Sequence, residues 1–302
     1  MSELAQEIEA LKTEKNAVIL AHNYQRPEVQ DIADYIGDSY GLSVKASQTE
    51  ADTIVFCGVD FMAETAKILN PGKKVLMPAE WALCPMAMLL HPQEIIDARK
   101  EHPDAQVVLY INTHAEAKAL SDCICTSANA LKVIDSMESD DVIFGPDRNL
   151  AGYVKKNTKK NIILVPENGL CPTHHMIQVQ DVKKAINAHP DAEVIVHPET
   201  IPEVQELADY IGSTTQMMRY CKESKSEDFI IGTEVGLIYR LEKETNGKRY
   251  YPASEMAYCN TMKMITLKHV KDALIEGKHE VKVPEDVAAK SLTAIQRMID
   301  TK

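Results

Sequence analysis

Short apolar runs rich in β-branched residues recur along the chain, and each ends in polar or turn residues. The first stretch contains "VILAH" (18–22), "TIVFCG" (53–58) and "KVLMP" (74–78). Between them lie segments that read as helices, one of which opens with proline in "PEVQ" (27–30), the residue favoured in a first helical turn. Strands alternating with helices predict right-handed crossovers and a parallel sheet covered on both faces.

The pattern then repeats. Residues 18–39, 106–127 and 193–214 align without gaps, at offsets of 88 (110 − 22) and 87 (197 − 110). His22, Tyr110 and His197 share one column, and Tyr24, Asn112 and Glu199 share another. Asp34, Asp122 and Asp209 match, as do Ser39, Ser127 and Thr214. Further on, each unit places an acid after its third strand (Asp60, Asp147, Glu234) and a cysteine after its fourth (Cys84, Cys171, Cys259). This periodicity predicts an α/β fold built by internal triplication of a small parallel-sheet sandwich, with pseudo-threefold symmetry around a central site. The expected units are 1–90 with an N-terminal helix, 91–177, and 178–265. Residues 266–302 open a fourth unit that stops early and closes onto the first.

Composition narrows the function. The chain of 302 residues is 45% hydrophobic and 26% charged, an ordinary globular balance. A net charge of −12 argues against nucleic acid or an anionic membrane as partner, since both reward basic surfaces. The opening "MSELAQEIEALKTEK" reads as an acidic amphipathic helix rather than a leader, and no run is long enough to span a membrane. Seven cysteines at irregular gaps do not form a disulfide framework, so a reducing, cytoplasmic setting is expected.

In parallel sheets, ligands bind beyond the carboxyl ends of the strands, and all the repeated polar columns fall there. One cysteine per unit at the same edge would converge on the axis. Three thiolates facing a common centre favour an iron–sulfur cluster or zinc. Zinc with three cysteines is typical of deaminase-type sites, whose local P-C-x-x-C is missing here. A 4Fe–4S cluster held by three cysteines keeps one iron free to act as a Lewis acid, and this reading is favoured. Cys57, Cys123, Cys125 and Cys221 read as core or incidental residues. Ser39, Ser127 and Thr214 read either as helix N-caps or as anion-binding helix termini. The Asp60 column is expected to pin contacts between units or to favour helix dipoles. Tyr24 and Glu199, near the axis, are candidate acid–base groups.

The segments "ILAHNYQRPEVQDIADYIGDS", "GVDFMAETAKILNP", "CPMA", "TSANA", "FGPDRNLA", "HPE" and "GTEVGLIYRL" resemble the quinolinate synthase family over essentially the whole chain. The resemblance implies a triplicated α/β enzyme of NAD biosynthesis with one 4Fe–4S cluster on Cys84, Cys171 and Cys259. It implies condensation of iminoaspartate with dihydroxyacetone phosphate to quinolinate, releasing phosphate and water. An L-aspartate oxidase or dehydrogenase would supply the iminoaspartate. The substrate-binding positions it implies are His22, Ser39, Tyr110, Asn112, Ser127, His174, His197, Ser213 and Thr214, with Tyr24 and Glu199 in proton transfer. Leu170 and Thr215 depart from residues common in that family. Two other readings stay open: a zinc-dependent hydrolase or lyase using Cys171 and His174, and a non-catalytic protein that binds an anionic metabolite.

Overall fold

The structure, a computed structural model, describes residues 2–301. The first unit runs α1 (Glu3–Glu14), β1 (Ala17–His22), α2 (Pro27–Asp31), β2 (Tyr35–Gly37), α3 (Ser39–Gln48), β3 (Thr53–Cys57), α4 (Asp60–Leu69) and β4 (Lys74–Leu76). The second follows with α5 (Pro92–Glu101), β5 (Gln106–Tyr110), α6 (Ala115–Lys118), β6 (Cys123–Cys125), α7 (Ala130–Asp135), β7 (Asp141–Gly145), α8 (Arg148–Asn157) and β8 (Asn161–Leu164). A short α9 (Pro172–His175) leads into the third. That unit holds α10 (Val179–Ala188), β9 (Glu193–Val196), α11 (Pro202–Gln205), β10 (Tyr210–Ile211), α12 (Thr214–Glu223), β11 (Asp228–Gly232), α13 (Gly236–Glu244) and β12 (Arg249–Pro252). Two helices, α14 (Leu267–Glu276) and α15 (Glu285–Asp300), end the chain.

The strands form three four-stranded sheets with one topology: β2-β1-β3-β4, β6-β5-β7-β8 and β10-β9-β11-β12. All pairings within them are parallel; Ile19 lies beside Val55, Val107 beside Ile143 and Val194 beside Ile230. Those six residues are buried, as expected of strands covered on both faces. The triplicated α/β arrangement expected from the repeats is the one observed.

A repeated hydrogen bond sets where each central strand begins. Asp34, Asp122 and Asp209 accept the backbone N–H of Ile19, Val107 and Val194, each at 2.7 Å. The acids' own N–H groups return to the same residues' carbonyls. In the first two units the carboxylate also meets a cation from the preceding helix, Lys12 at 2.7 Å and Arg99 at 2.8 Å.

The terminal segment divides between two units. Helix α14 lies on α1 and β3, and its Val270, Ala273 and Leu274 join Ala5 and Ile8 in one buried cluster. Helix α15 instead lies against α6, β6 and α4, where Ser291 donates to the Ala115 carbonyl at 2.8 Å. Cys57, Cys123, Cys125 and Cys221 are all buried. Among the described residues, no helix is long and apolar enough to cross a membrane.

Replacing Asp209 with alanine leaves the buried Val194 N–H without its acceptor. The expected loss is about 1–3 kcal/mol, the cost of an unsatisfied buried donor, read as a lower midpoint in denaturant unfolding.

Candidate active site

The carboxyl ends of the strands from all three units surround one cavity of about 300 Å³. His22, Tyr24 and Ser39 reach it from the first unit, Tyr110, Asn112 and Ser127 from the second, and His197, Glu199 and Thr214 from the third. The loops after β4, β8 and β12 add Cys84, Cys171 with His174, and Cys259. Ser213 is the sequence-selected residue that does not line it. Its hydroxyl caps α12, facing the Gln216 N–H at 3.4 Å.

The caps sit one position earlier than a Ser39 and Thr214 column suggests. Asp38 caps α3 through the Gly41 N–H at 2.8 Å, and Ser213 caps α12. Ser39 and Thr214 are therefore the first helical residues, at the positive ends of the helix dipoles. The departure at Thr215 carries no strain, because it lies within α12 and is not among the residues with positive φ.

The loops after the central strands are tied down by side chains at one repeat position. Gln30 donates to the carbonyls of Asn23 (3.2 Å) and Gln25 (2.9 Å), and Gln205 to those of Pro198 (2.9 Å) and Thr200 (2.7 Å). In the second unit the buried Lys118 takes that place and donates to the Thr113 carbonyl. These ties aim the Tyr24, Asn112 and Glu199 column inward.

His22 and His197 are held alike. Each Nδ1 accepts the N–H of the residue two further on, Tyr24 at 3.2 Å and Glu199 at 3.3 Å. That leaves Nε2 carrying the proton, and His197 Nε2 faces Ser127 Oγ at 3.1 Å. Burial is the main force that takes both imidazoles from an ordinary 6.5 to about 3, so they are neutral donors.

Glu199 is the central carboxylate. His174 Nδ1 lies 2.7 Å from its Oε2, and the Tyr110 hydroxyl donates to its Oε1. Burial opposes its ionisation, but the His174 ring and the hydrogen bonds from His174 and Tyr110 outweigh that and hold it below the usual carboxylate range. Burial, then the charge of Glu199, push the Tyr24 and Tyr110 phenols well above 10, so both keep their protons. Tyr24 completes a small network: its hydroxyl is 2.6 Å from Thr233 Oγ1, which is 2.8 Å from His174 Nε2.

Each cysteine loop is anchored by its own unit's acid. Asp60, Asp147 and Glu234 accept the backbone N–H of Cys84 (2.9 Å), Cys171 (2.9 Å) and Cys259 (3.1 Å). The acids do not share one helical position. Asp60 begins α4, Asp147 is the N-cap of α8, and Glu234 precedes α13. In the second unit the loops after β7 and β8 touch so closely that a Cβ on Gly145 would lie 1.5 Å from the Val165 carbonyl oxygen. One on Gly169 would lie 1.9 Å from that of Pro146, so this approach requires glycine at both positions.

Two donor sets could hold a metal. Cys171, His174 and Glu199 place one ligand atom each within 4.8 Å of one another. Cys84, Cys171 and Cys259 offer three soft sulfurs on the wall of the same cavity. Burial raises the Cys84 and Cys171 thiols, so loading a metal there must release protons. Nearby, the buried Oδ1 of Asn112 has no partner, an acceptor available to a ligand. Thr233 and Lys263 escaped the sequence reading. Lys263 bonds both Glu234 and the Tyr24 carbonyl, and neither residue belongs to a repeated column.

Residues 6–300 match the family model described as NadA, quinolinate synthetase A protein. The chain is 51% identical over 300 residues to a quinolinate synthase of Thermococcus onnurineus, covering 99% of each. It is 52% identical over 298 residues to one of Pyrococcus abyssi, covering 99% of each. With one of Methanothermobacter thermautotrophicus it shares 52% over 300 residues, covering 99% of this chain and 98% of the other.

The neutral histidines make stability depend on pH. Between their ordinary 6.5 and their folded value of about 3, the unfolded chain binds two protons that the folded protein refuses. The unfolding free energy should therefore fall as pH drops from about 6.5 towards 4. His197→Asn, which keeps an acceptor for the Glu199 N–H, should flatten that slope. A flat profile for the parent protein in denaturant unfolding would contradict the neutral assignment.

Proposed function

The chain belongs to the quinolinate synthetase A protein family, a family of enzymes, and on that premise we propose that it condenses iminoaspartate with dihydroxyacetone phosphate to quinolinate, releasing phosphate and water. The observation that carries the reading is the convergence of three repeat-related cysteines on one cavity lined with neutral imidazoles and hydroxyls. The donor set suits a 4Fe–4S cluster: among the described residues the cavity wall holds three thiols, one short of the usual four. When bound, that cluster would supply a Lewis-acidic iron without a protein ligand.

The protein's own groups divide the remaining work. His22 and His197 present N–H donors, and Ser39, Ser127 and Thr214 present hydroxyls, two of them at helix N-termini. This combination suits carboxylates and a phosphate. Asn112 Oδ1 accepts from a substrate hydroxyl or N–H. Glu199, held as a carboxylate, takes a proton from the three-carbon unit. Tyr24, held as a phenol, returns one. Tyr110 and His174 orient the Glu199 carboxylate, and the burial of His22, Tyr24, Tyr110, His174, His197 and Glu199 limits the access of water to a hydrolysable imine. An L-aspartate oxidase or dehydrogenase would supply that imine. None of the seven cysteines is paired in a disulfide, in keeping with the proposed reducing, cytoplasmic setting.

The Cys171–His174–Glu199 group favours a second reading, a single zinc and hydrolytic or lyase chemistry. Against it, Glu199 is already engaged by Tyr110 and His174, and zinc there would leave Cys84 and Cys259 unused. Metal analysis separates the two. Anaerobically purified protein should be brown, hold about four irons and four sulfides per chain, and form quinolinate from the two substrates. Cys84→Ala, Cys171→Ala and Cys259→Ala should each lose the cluster, and Cys123→Ala should keep it. One zinc per chain and no sulfide would sink the cluster assignment. Iron and sulfide without quinolinate formation would leave it standing and remove the reaction.

A further inference from the structure

We propose that Asp60, Asp147 and Glu234 form a ring of positioning residues that aims the three cysteine sulfurs at their common centre. The proposal rests on the cluster reading above and extends it to residues that touch neither metal nor substrate.

The geometry is the same three times. Each carboxylate gives one oxygen to the N–H of its own unit's cysteine, at 2.9, 2.9 and 3.1 Å. The cysteines lie in irregular loops beyond the last strands, outside any sheet ladder. Nothing in the sheet therefore dictates how the peptide before each cysteine is turned. That peptide plane fixes the N–Cα bond about which φ turns, so holding it narrows where Cβ and the sulfur can reach. A hydrogen bond on the cysteine's own N–H holds the plane.

The other oxygen ties the loop to something rigid. Asp147 Oδ1 accepts the Leu150 N–H at 2.7 Å, which seats it on α8. Glu234 Oε2 accepts the Gly236 N–H at 2.7 Å and lies 3.2 Å from Lys263 Nζ, which also donates to the Tyr24 carbonyl of the first unit. Asp60 Oδ2 lies 2.8 Å from His114 Nε2 of the second unit. Beside Asp147, Asn149 donates to the Glu199 carbonyl of the third unit at 2.9 Å. Each acid thus stands at the seam where its unit meets the next. Asp60 and Glu234 thereby link their loops to a neighbouring unit, while Asp147 bonds within its own unit and leaves the seam contact to Asn149. A group bound by one sulfur from each unit needs that mutual hold, because misdirecting one sulfur breaks the set.

Asp147 and Glu234 are fully buried, a position that is costly for a carboxyl unless its oxygens are bonded. The strand-opening column provides a control that makes the same kind of bond from an exposed position. Asp209 also accepts a backbone N–H at 2.7 Å, but from the first residues of a strand rather than from a cysteine loop.

The test uses anaerobically purified protein carrying Asp147→Asn, with Glu234→Gln and Asp60→Asn beside it. An amide presents one oxygen and one NH2, so in Asp147→Asn one of the two N–H groups meets a donor, whatever the charge on the native carboxyl. Four quantities are read: iron release to a chelator, the reduction potential of the cluster, amide exchange across 169–176, and thermal unfolding. Iron release should be about tenfold faster, the scale of one lost hydrogen bond. The potential should shift, and exchange should quicken in the cysteine segment. Asp147→Glu should restore slow release, since carboxylates of both lengths serve in the native ring. Asp209→Ala, which removes the acceptor of the Val194 N–H, should lower the unfolding temperature without changing release or potential.

Folded ring variants that keep iron as tightly as the parent, at an unchanged potential, would overturn the proposal, even with faster amide exchange. So would Asp209→Ala releasing iron as fast as Asp147→Asn, because the effect would then be general destabilisation. A parent protein without iron and sulfide would bring down the cluster reading and this proposal together. That failure is visible before any variant is made, and so is distinct from the other two.

Discussion

Parallel pairing sends the carboxyl end of every strand in a sheet to the same edge, and the rest of this molecule follows from that constraint. With three sheets of one topology, twelve strand ends become available, and the polar residues that close the strands meet across a single cavity. The interior of each sheet can then be wholly apolar. Leu20, Val108 and Ile195 are fully buried a few residues before His22, Tyr110 and His197 reach the cavity. Scaffold and chemistry are separated along each central strand by two positions. Carboxylates guard both ends of this arrangement: one column starts the central strands, and a second anchors the loops beyond the last ones.

Burial gives the candidate site its character. Removing water drives His22 and His197 to the neutral form and keeps the phenols of Tyr24 and Tyr110 protonated. Glu199 is the exception, because Tyr110 and His174 supply the donors that an ionised carboxylate needs. One anion beside neutral imidazoles at His22 and His197 and protonated phenols at Tyr24 and Tyr110 is a coherent arrangement for proton transfer: the base is charged and the acid has kept its proton. The stacked His174 and His197 rings, 4.6 Å apart, bring residues from two loops onto that one carboxylate.

Much of the architecture was legible in the chain because it is local and repeated. Apolar runs mark strands wherever both faces are covered, and an offset of 87 or 88 residues copies every column into the next unit. Cys84, Cys171 and Cys259 could be picked from seven cysteines on that basis alone, as could His22, His197 and the Tyr24 column. Two helix caps were misplaced by one position, since Asp38 and Ser213 are as able to cap as the residues that follow them, and Ser127 caps no helix because α7 starts later, with Asn129 at its N-cap position. Thr233 and Lys263 were invisible, because each occurs in one unit and acts on a partner more than fifty residues away or in another unit.

By itself, then, the sequence determined the triplicated sheets and which residues stand at their carboxyl edges, for strand periodicity and internal repetition are properties of the chain. The tertiary structure decided what those residues are bonded to. The tautomers of the two histidines, the charge of Glu199, and the partner of each acid in the Asp60 column depend on burial and on hydrogen-bond directions. Those directions exist only once an acid and a cysteine 24 or 25 positions apart, or a neighbouring unit, have folded into place.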